Sequence, residues 1–244
     1  MVTAYQKVAA QVIFYVKMRL DGRRYSKILC KERLPYTVFS GVNALYNPAT
    51  GFDMLYQENK VHNLKVLSAK FNGLILRPGE TFSFWQAARR ADRHVPYKDG
   101  LILKGGELTI GPAGGLCQMS NLLYWVFLHS PLVAVERHTH HVKNFATPCG
   151  MPEGVDATIS EGWLDLKFNN PTDTTYQIAI DFTDDTITCT LLADTPHTTI
   201  YEIKSTDVEY IEQDGKVYQH ANVYRNKEFL YKNICQMGYT HEEA

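Results

Sequence analysis

The sequence has no closely spaced pair of cysteines. Its five cysteines stand apart at positions 30, 117, 149, 189 and 235. An odd number with no CxxC spacing excludes a zinc ribbon and a dithiol redox motif, and it suits a reducing compartment better than a disulfide framework. An excess of one charge is also missing, since 25 basic residues face 26 acidic ones. That leaves no electrostatic footprint for nucleic acid or for an anionic membrane. Long apolar runs are absent too. Residues 9–16 are apolar apart from Gln11, but Lys7, Lys17 and Arg19 flank them closely. Such a run is too short for a stable membrane span and lacks a small-residue cleavage site, so it predicts an amphipathic or buried helix over about residues 3–20 and a cytoplasmic protein. No repeat, low-complexity segment or long linker breaks up the 244 residues, which suffice for a substantial core.

What the sequence does have is a cluster of helix breakers directly ahead of a helix. Gly111, Pro112, Gly114 and Gly115 read as a bent loop. Leu116, Met119, Leu122, Leu123, Val126 and Phe127 then recur with helical period, which predicts a helix to about His129 with Pro131 as its stop. Cys117 falls in the first turn. There the free N–H groups and the helix dipole favour a thiolate, and the glycines let a ligand come close to the backbone. Ser120, Asn121 and Tyr124 share the side of Cys117 on a helical wheel, a polar strip that reads as a site wall. The competing reading makes Cys117 a small core hydrophobe, as most helical cysteines are.

Around this centre the periodicities alternate. A strand is predicted over residues 36–40, a helix over 58–72 ended by Gly73, and a short strand over 74–76 leading to the Pro78-Gly79 turn. Glu80 follows that turn, either as a functional carboxylate or as a turn cap. Residues 86–100, with Arg89, Arg90, Arg93 and Lys98, read as solvated surface or as a loop for an anionic substrate. After the central helix, residues 132–140 read as a strand whose alternation puts Glu136, His138 and His140 on one face and Arg137 on the other. Strand and turn signals then continue to residue 235, with a tail over 238–244 expected to be unstructured. The fold class is α+β, with N-terminal and central helices and a mainly antiparallel C-terminal sheet. The expected divisions are 1–58, 59–195 and 196–244.

Four ordered motifs carry a resemblance. Gly114-Gly-Leu-Cys-Gln-Met-Ser120, Arg77-Pro-Gly-Glu-Thr-Phe-Ser-Phe84, Glu136-Arg-His-Thr-His140, and Gly154-Val-Asp-Ala157 followed by Leu164-Asp-Leu-Lys-Phe168 resemble the VanW family over roughly residues 60–170. That family is named from glycopeptide (vancomycin) resistance clusters. Some of its domains are linked to peptidoglycan L,D-transpeptidation through the motif cysteine, so the resemblance implies that chemistry here and favours His140 as the motif histidine. Two departures stand out: Ala113 replaces a usual glycine, and His141 replaces a usual serine.

Cys117, His140 and a carboxylate are the parts of a nucleophilic acyl-transfer site. Asp156 is the first choice to orient His140 and Glu136 the second. Gly114, Gly115, Gln118, Ser120, Glu80, Glu136, Arg137 and His138 complete the set of substrate or oxyanion contacts. No cofactor is expected, and the partner is a cell-wall peptide or precursor. Two other classes compete. One is a metal site built on Cys117, His138 and His140, with Asp156 as a further ligand. The other is a non-catalytic module that binds wall precursors. Cross-linking takes place outside the membrane, whereas this sequence reads as cytoplasmic, and the two expectations are not reconciled by sequence.

Overall fold

The computed structural model describes residues 4–148 and 150–238. Cys149 and positions 239–244 of the expected tail lie outside the described residues. Helix α1 (Ala4–Leu20) precedes the short β1 (Arg24–Tyr25) and the longer β2 (Tyr36–Ala44). Helix α2 (Leu55–Phe71) leads through β3 (Ile75–Leu76) and β4 (Glu80–Ser83) into the short α3 (Phe84–Ala88). A hairpin, β5 (Asp99–Lys104) and β6 (Glu107–Pro112), then delivers the chain to α4 (Cys117–Leu128). Strands β7 (Val133–Glu136), β8 (Val142–Lys143) and β9 (Lys167–Asn169) follow. Next come the hairpin β10 (Tyr176–Phe182) and β11 (Thr186–Ala193), and last the meander β12 (Ile203–Gln213), β13 (Lys216–Arg225) and β14 (Glu228–Met237). The class is α+β.

The strands form three four-stranded sheets, ordered β1-β4-β9-β7, β2-β11-β10-β3 and β12-β13-β14-β8, beside the β5-β6 hairpin. Pairings are antiparallel except β1 with β4 and β14 with β8. Outside its polar strip helix α4 is apolar, and that broad apolar face puts it at the centre rather than on the surface. Met119, Leu122, Leu123, Val126 and Phe127 have no exposed area, and α4 packs on β2 and β11. Phe127 meets Phe82 at 5.1 Å and Phe168 at 5.0 Å between ring centroids, which ties the helix to β4 and β9. Truncating such a ring would cost about 3–5 kcal/mol.

Helix α1 lies on the surface. Gln11 Nε2 donates to Glu161 Oε2 at 2.8 Å, Tyr15 Oη donates to Glu161 Oε1 at 2.7 Å, and Met18 is buried. Tyr5, Val8, Val12 and Val16 remain exposed along its outer side. Among the described residues no helix is long and apolar enough to cross a membrane.

The strand expected over residues 132–140 is shorter. Regular pairing stops at Glu136, with a bulge between Ala134 and Glu136, and His138 makes only an isolated bridge to Thr158. Beyond that point Asp156 captures the chain, because its Oδ2 accepts from Thr139 Oγ1 at 3.0 Å and from the His140 N–H at 2.6 Å. A carboxylate taking two successive groups replaces the alternation of a strand. The predicted register therefore fails after Glu136: Arg137 and His140, expected on opposite faces, both turn to Asp156.

Candidate active site

The loop that carries Cys117 is shaped by close backbone contact. A Cβ on Gly114 would lie 2.2 Å from the carbonyl carbon of Gly100, so this loop nests against β5 only as glycine. Ala113 and Gly115 both have positive φ, at 57° and 87°. Ala113 thus adopts the left-handed conformation that glycine takes freely. The turn ends with Gln118 N–H donating to Gly115 O at 3.1 Å and Met119 N–H to Leu116 O at 3.0 Å. Leu116 caps α4 without a side-chain hydrogen bond, and of the first-turn N–H groups that of Cys117 has no backbone acceptor among the described residues.

Only part of the polar strip on α4 forms a wall of the cleft: Asn121 lines it, whereas Ser120 and Tyr124 do not. Ser120 is fully buried, and its Oγ donates to Ala157 O at 2.6 Å and lies 3.0 Å from Cys117 O. Asn121 Oδ1 accepts the Ala157 N–H at 2.5 Å, and Tyr124 Oη donates to Tyr231 Oη at 3.0 Å. Ser120 and Asn121 together clamp the Ala157 backbone onto the helix. That clamp is what brings Asp156 to Cys117.

Asp156 and His140 make a tight pair. The His140 Nδ1 lies 2.8 Å from Asp156 Oδ1 and 2.9 Å from Oδ2, which leaves Nε2 for the thiol. Burial disfavours a charged Asp156, but the hydrogen bonds and charge of His140 outweigh it and hold the carboxyl down to about 2. Burial likewise opposes the imidazolium, yet hydrogen bonds to Asp156 and to Cys117, with their charges, push His140 up to about 10. Burial pushes the Cys117 thiol up. The hydrogen bond to His140 and its charge, the Ile159 N–H and the Thr158 hydroxyl prevail and bring it below its ordinary value. Thr158 Oγ1 lies 3.6 Å from Cys117 Sγ. These directions agree on a thiolate–imidazolium pair.

The remaining anchors come from the C-terminal sheet. Arg137 Nε donates to Asp156 O at 2.8 Å and Arg137 Nη2 donates to Asn233 Oδ1 at 3.2 Å, while its guanidinium lies 3.7 Å over the Tyr231 ring. Thr139 Oγ1 is 2.7 Å from Asn233 Oδ1. Arg137 is therefore a brace behind the site and not a substrate contact. Sequence gave no hint of Asn233, Thr158 or Ile159, because each acts through a neighbour far along the chain.

Cys117, His140 and Asp156 open into a cleft of about 890 Å³, walled also by α2 and the β5-β6 hairpin. Gly115 and Gln118 line it, with Gln118 Nε2 donating to Ala44 O at 2.6 Å. Gly114, Glu80, Ser120, Glu136 and His138 do not. Glu80 caps its own turn, accepting the Arg77 N–H at 3.0 Å. Glu136 accepts the Asp165 N–H at 3.0 Å and pairs with Lys167 Nζ at 2.9 Å, so it does not orient His140. His138 turns to Glu136, with Nε2 at 3.1 Å from Oε1, and does not join Cys117 and His140 in a metal set. Among the described residues no three His, Cys, Asp or Glu side chains are grouped to hold a metal ion.

The fold and site define an α+β protein with a cysteine–histidine–aspartate cluster at a helix start, and the chain belongs to the VanW family. It matches that family, described as VanW like protein, over residues 59–192, a span that contains all four motifs. Among individual proteins it is similar to the Vancomycin B-type resistance protein VanW of Enterococcus faecalis, with 46% identity over 246 residues, 96% of this chain and 90% of that protein. It is also similar to the Uncharacterized protein YoaR of Bacillus subtilis, with 34% identity over 113 residues, 46% of this chain and 36% of that protein. No solved structure matches it significantly.

Proposed function

We propose that this protein is a cysteine acyltransferase that acts on cell-wall peptides and contributes to glycopeptide resistance. The observation that carries the reading is the Cys117–His140–Asp156 arrangement, in which the sulfur meets His140, the Ile159 N–H and the Thr158 hydroxyl. The resistance link rests on the family and on the printed name of the E. faecalis relative. The thiolate attacks a peptide carbonyl, forming a C–S bond and a tetrahedral oxyanion. The Cys117 N–H at the start of α4 is placed to stabilise that charge. Collapse breaks the C–N bond, and the proton on His140 Nε2 passes to the departing amine. An incoming amine or water then gives its proton to His140 and releases the acyl group, completing transpeptidation or hydrolysis. Asp156 keeps Nδ1 protonated and the ring in place throughout.

Incubation with muropeptide stems, followed by intact mass analysis, tests the reading. The expected result is a thioester adduct on Cys117, or cross-linked or trimmed products. Cys117→Ala and His140→Ala should abolish turnover, Asp156→Asn should lower it less, and Glu136→Gln should lower it least. No adduct or product on tetra- and pentapeptide stems would remove the enzyme reading.

A further inference from the structure

Helix α2 supplies one wall of the cleft, and it does more there than pack. Asn63 fixes the glycine loop: its Nδ2 donates to Lys98 O at 2.9 Å and to Gly114 O at 3.0 Å, and its Oδ1 accepts the Lys98 N–H at 2.8 Å. Lys60 lies about one helical turn before Asn63. Its stem runs against Gly115, where a Cβ would come 2.2 Å from Lys60 Cγ. The same lysine lines the cleft with Cys117 and His140. Among the described residues its ammonium has neither an ion pair nor a hydrogen bond, and burial lowers it to about 8. One further turn back, Gln57 lines the same cleft at 3% exposure, and its buried Oε1 has no hydrogen-bond partner among the described residues.

A desolvated cation and an unanswered acceptor on one face of one helix are each unfavourable in the free protein. A single ligand relieves both if it brings an anion next to an N–H donor. The last residue of a peptide has that pair, with a carboxylate one carbon away from its own amide N–H. We propose that Lys60 and Gln57 form a subsite for the free C-terminal residue of a peptide, Lys60 binding its carboxylate and Gln57 Oε1 accepting its N–H. The cleft then selects a bond near a chain end over one inside a long polymer. This subsite deepens the acyl-transfer reading and rests on it for the identity of the scissile bond.

Two measurements decide the matter. The first compares the rates at which iodoacetate and iodoacetamide alkylate Cys117 at pH 6.5. The anionic reagent should gain from Lys60, so its rate relative to the neutral one should fall about tenfold in Lys60→Gln and largely return in Lys60→Arg. An unchanged ratio overturns the subsite. The second is calorimetric binding of N-acetyl-alanyl-alanine and of its C-terminal amide to the Cys117→Ser protein. The acid should bind about tenfold tighter or more, with the preference erased by Lys60→Gln and the acid weakened by Gln57→Leu. Equal binding, no binding of either peptide, or a preference that survives in Lys60→Gln overturns the subsite. An inert Cys117 would count against acyl transfer alone, because the calorimetric comparison does not use the thiol's reactivity.

Discussion

At the scale of single residues, Asp156 does the most work per atom. Its carboxylate accepts from His140 twice and from Thr139, and its pKa near 2 lies below the ordinary 3.8. A folded-state value depressed in this way adds stability that is fully present above the unfolded value and is lost as pH falls through the folded one. The gap amounts to about 2 kcal/mol at neutral pH. Asp156→Asn should therefore be destabilised by about that amount at pH 7, with the difference shrinking to about half by pH 3. Urea unfolding of both proteins across this range checks the prediction, and a difference that stays constant with pH would defeat it. Cys117, His140 and Asp156 were all legible in the sequence as residue types in motifs. Lys60 and Gln57 were not, since a lysine and a glutamine on a helix look like ordinary solvated positions until burial is known.

At the scale of elements, the glycine loop and α4 act as one unit. Ala113 sits in the left-handed region with φ of 57°, a conformation that an L side chain adopts at a cost. Ala113→Gly should raise stability by about 0.5–1 kcal/mol, the relief of strain being partly offset by the greater freedom of glycine when unfolded. Thermal unfolding would register this as a higher Tm, and a lower Tm would refute it. The helix start was readable from glycine and proline ahead of a 3.6-residue period. The strand after it was misread beyond Glu136, because alternation in sequence does not reveal that one distant carboxylate will seize Thr139 and His140. Ser120 was misread for a related reason, whereas Asn121 does line the cleft. Polar residues beside a cysteine look the same whether they face a substrate or the Ala157 backbone they hold.

At the scale of the whole molecule, the family match ends at residue 192, yet the site leans on a strand beyond it. Asn233 on β14 is 2% exposed and joins Arg137 and Thr139 directly behind Asp156. Asn233→Ala should cost about 1–3 kcal/mol by leaving the Arg137 Nη2 donor unanswered. It should also slow iodoacetamide labelling of Cys117 at neutral pH; a wild-type rate would mean that the C-terminal sheet does not govern the site. The meander itself was readable from its turns, but nothing in its sequence announced that it braces a site over 70 positions earlier. The contact between Gly100 and Gly114 has a further consequence, in the currency of descent. The first change at either position brings a new carbon within 2.2–3.1 Å of the other residue's backbone, whichever glycine mutates. Gly114 is therefore closed to any side chain while Gly100 keeps its place, whereas a side chain at Gly100 asks the Gly114 backbone to give way by only a few tenths of an ångström. Variation that retunes this cleft has to enter through its walls, on α2 and the hairpin tip, while the path of the chain into Cys117 stays fixed.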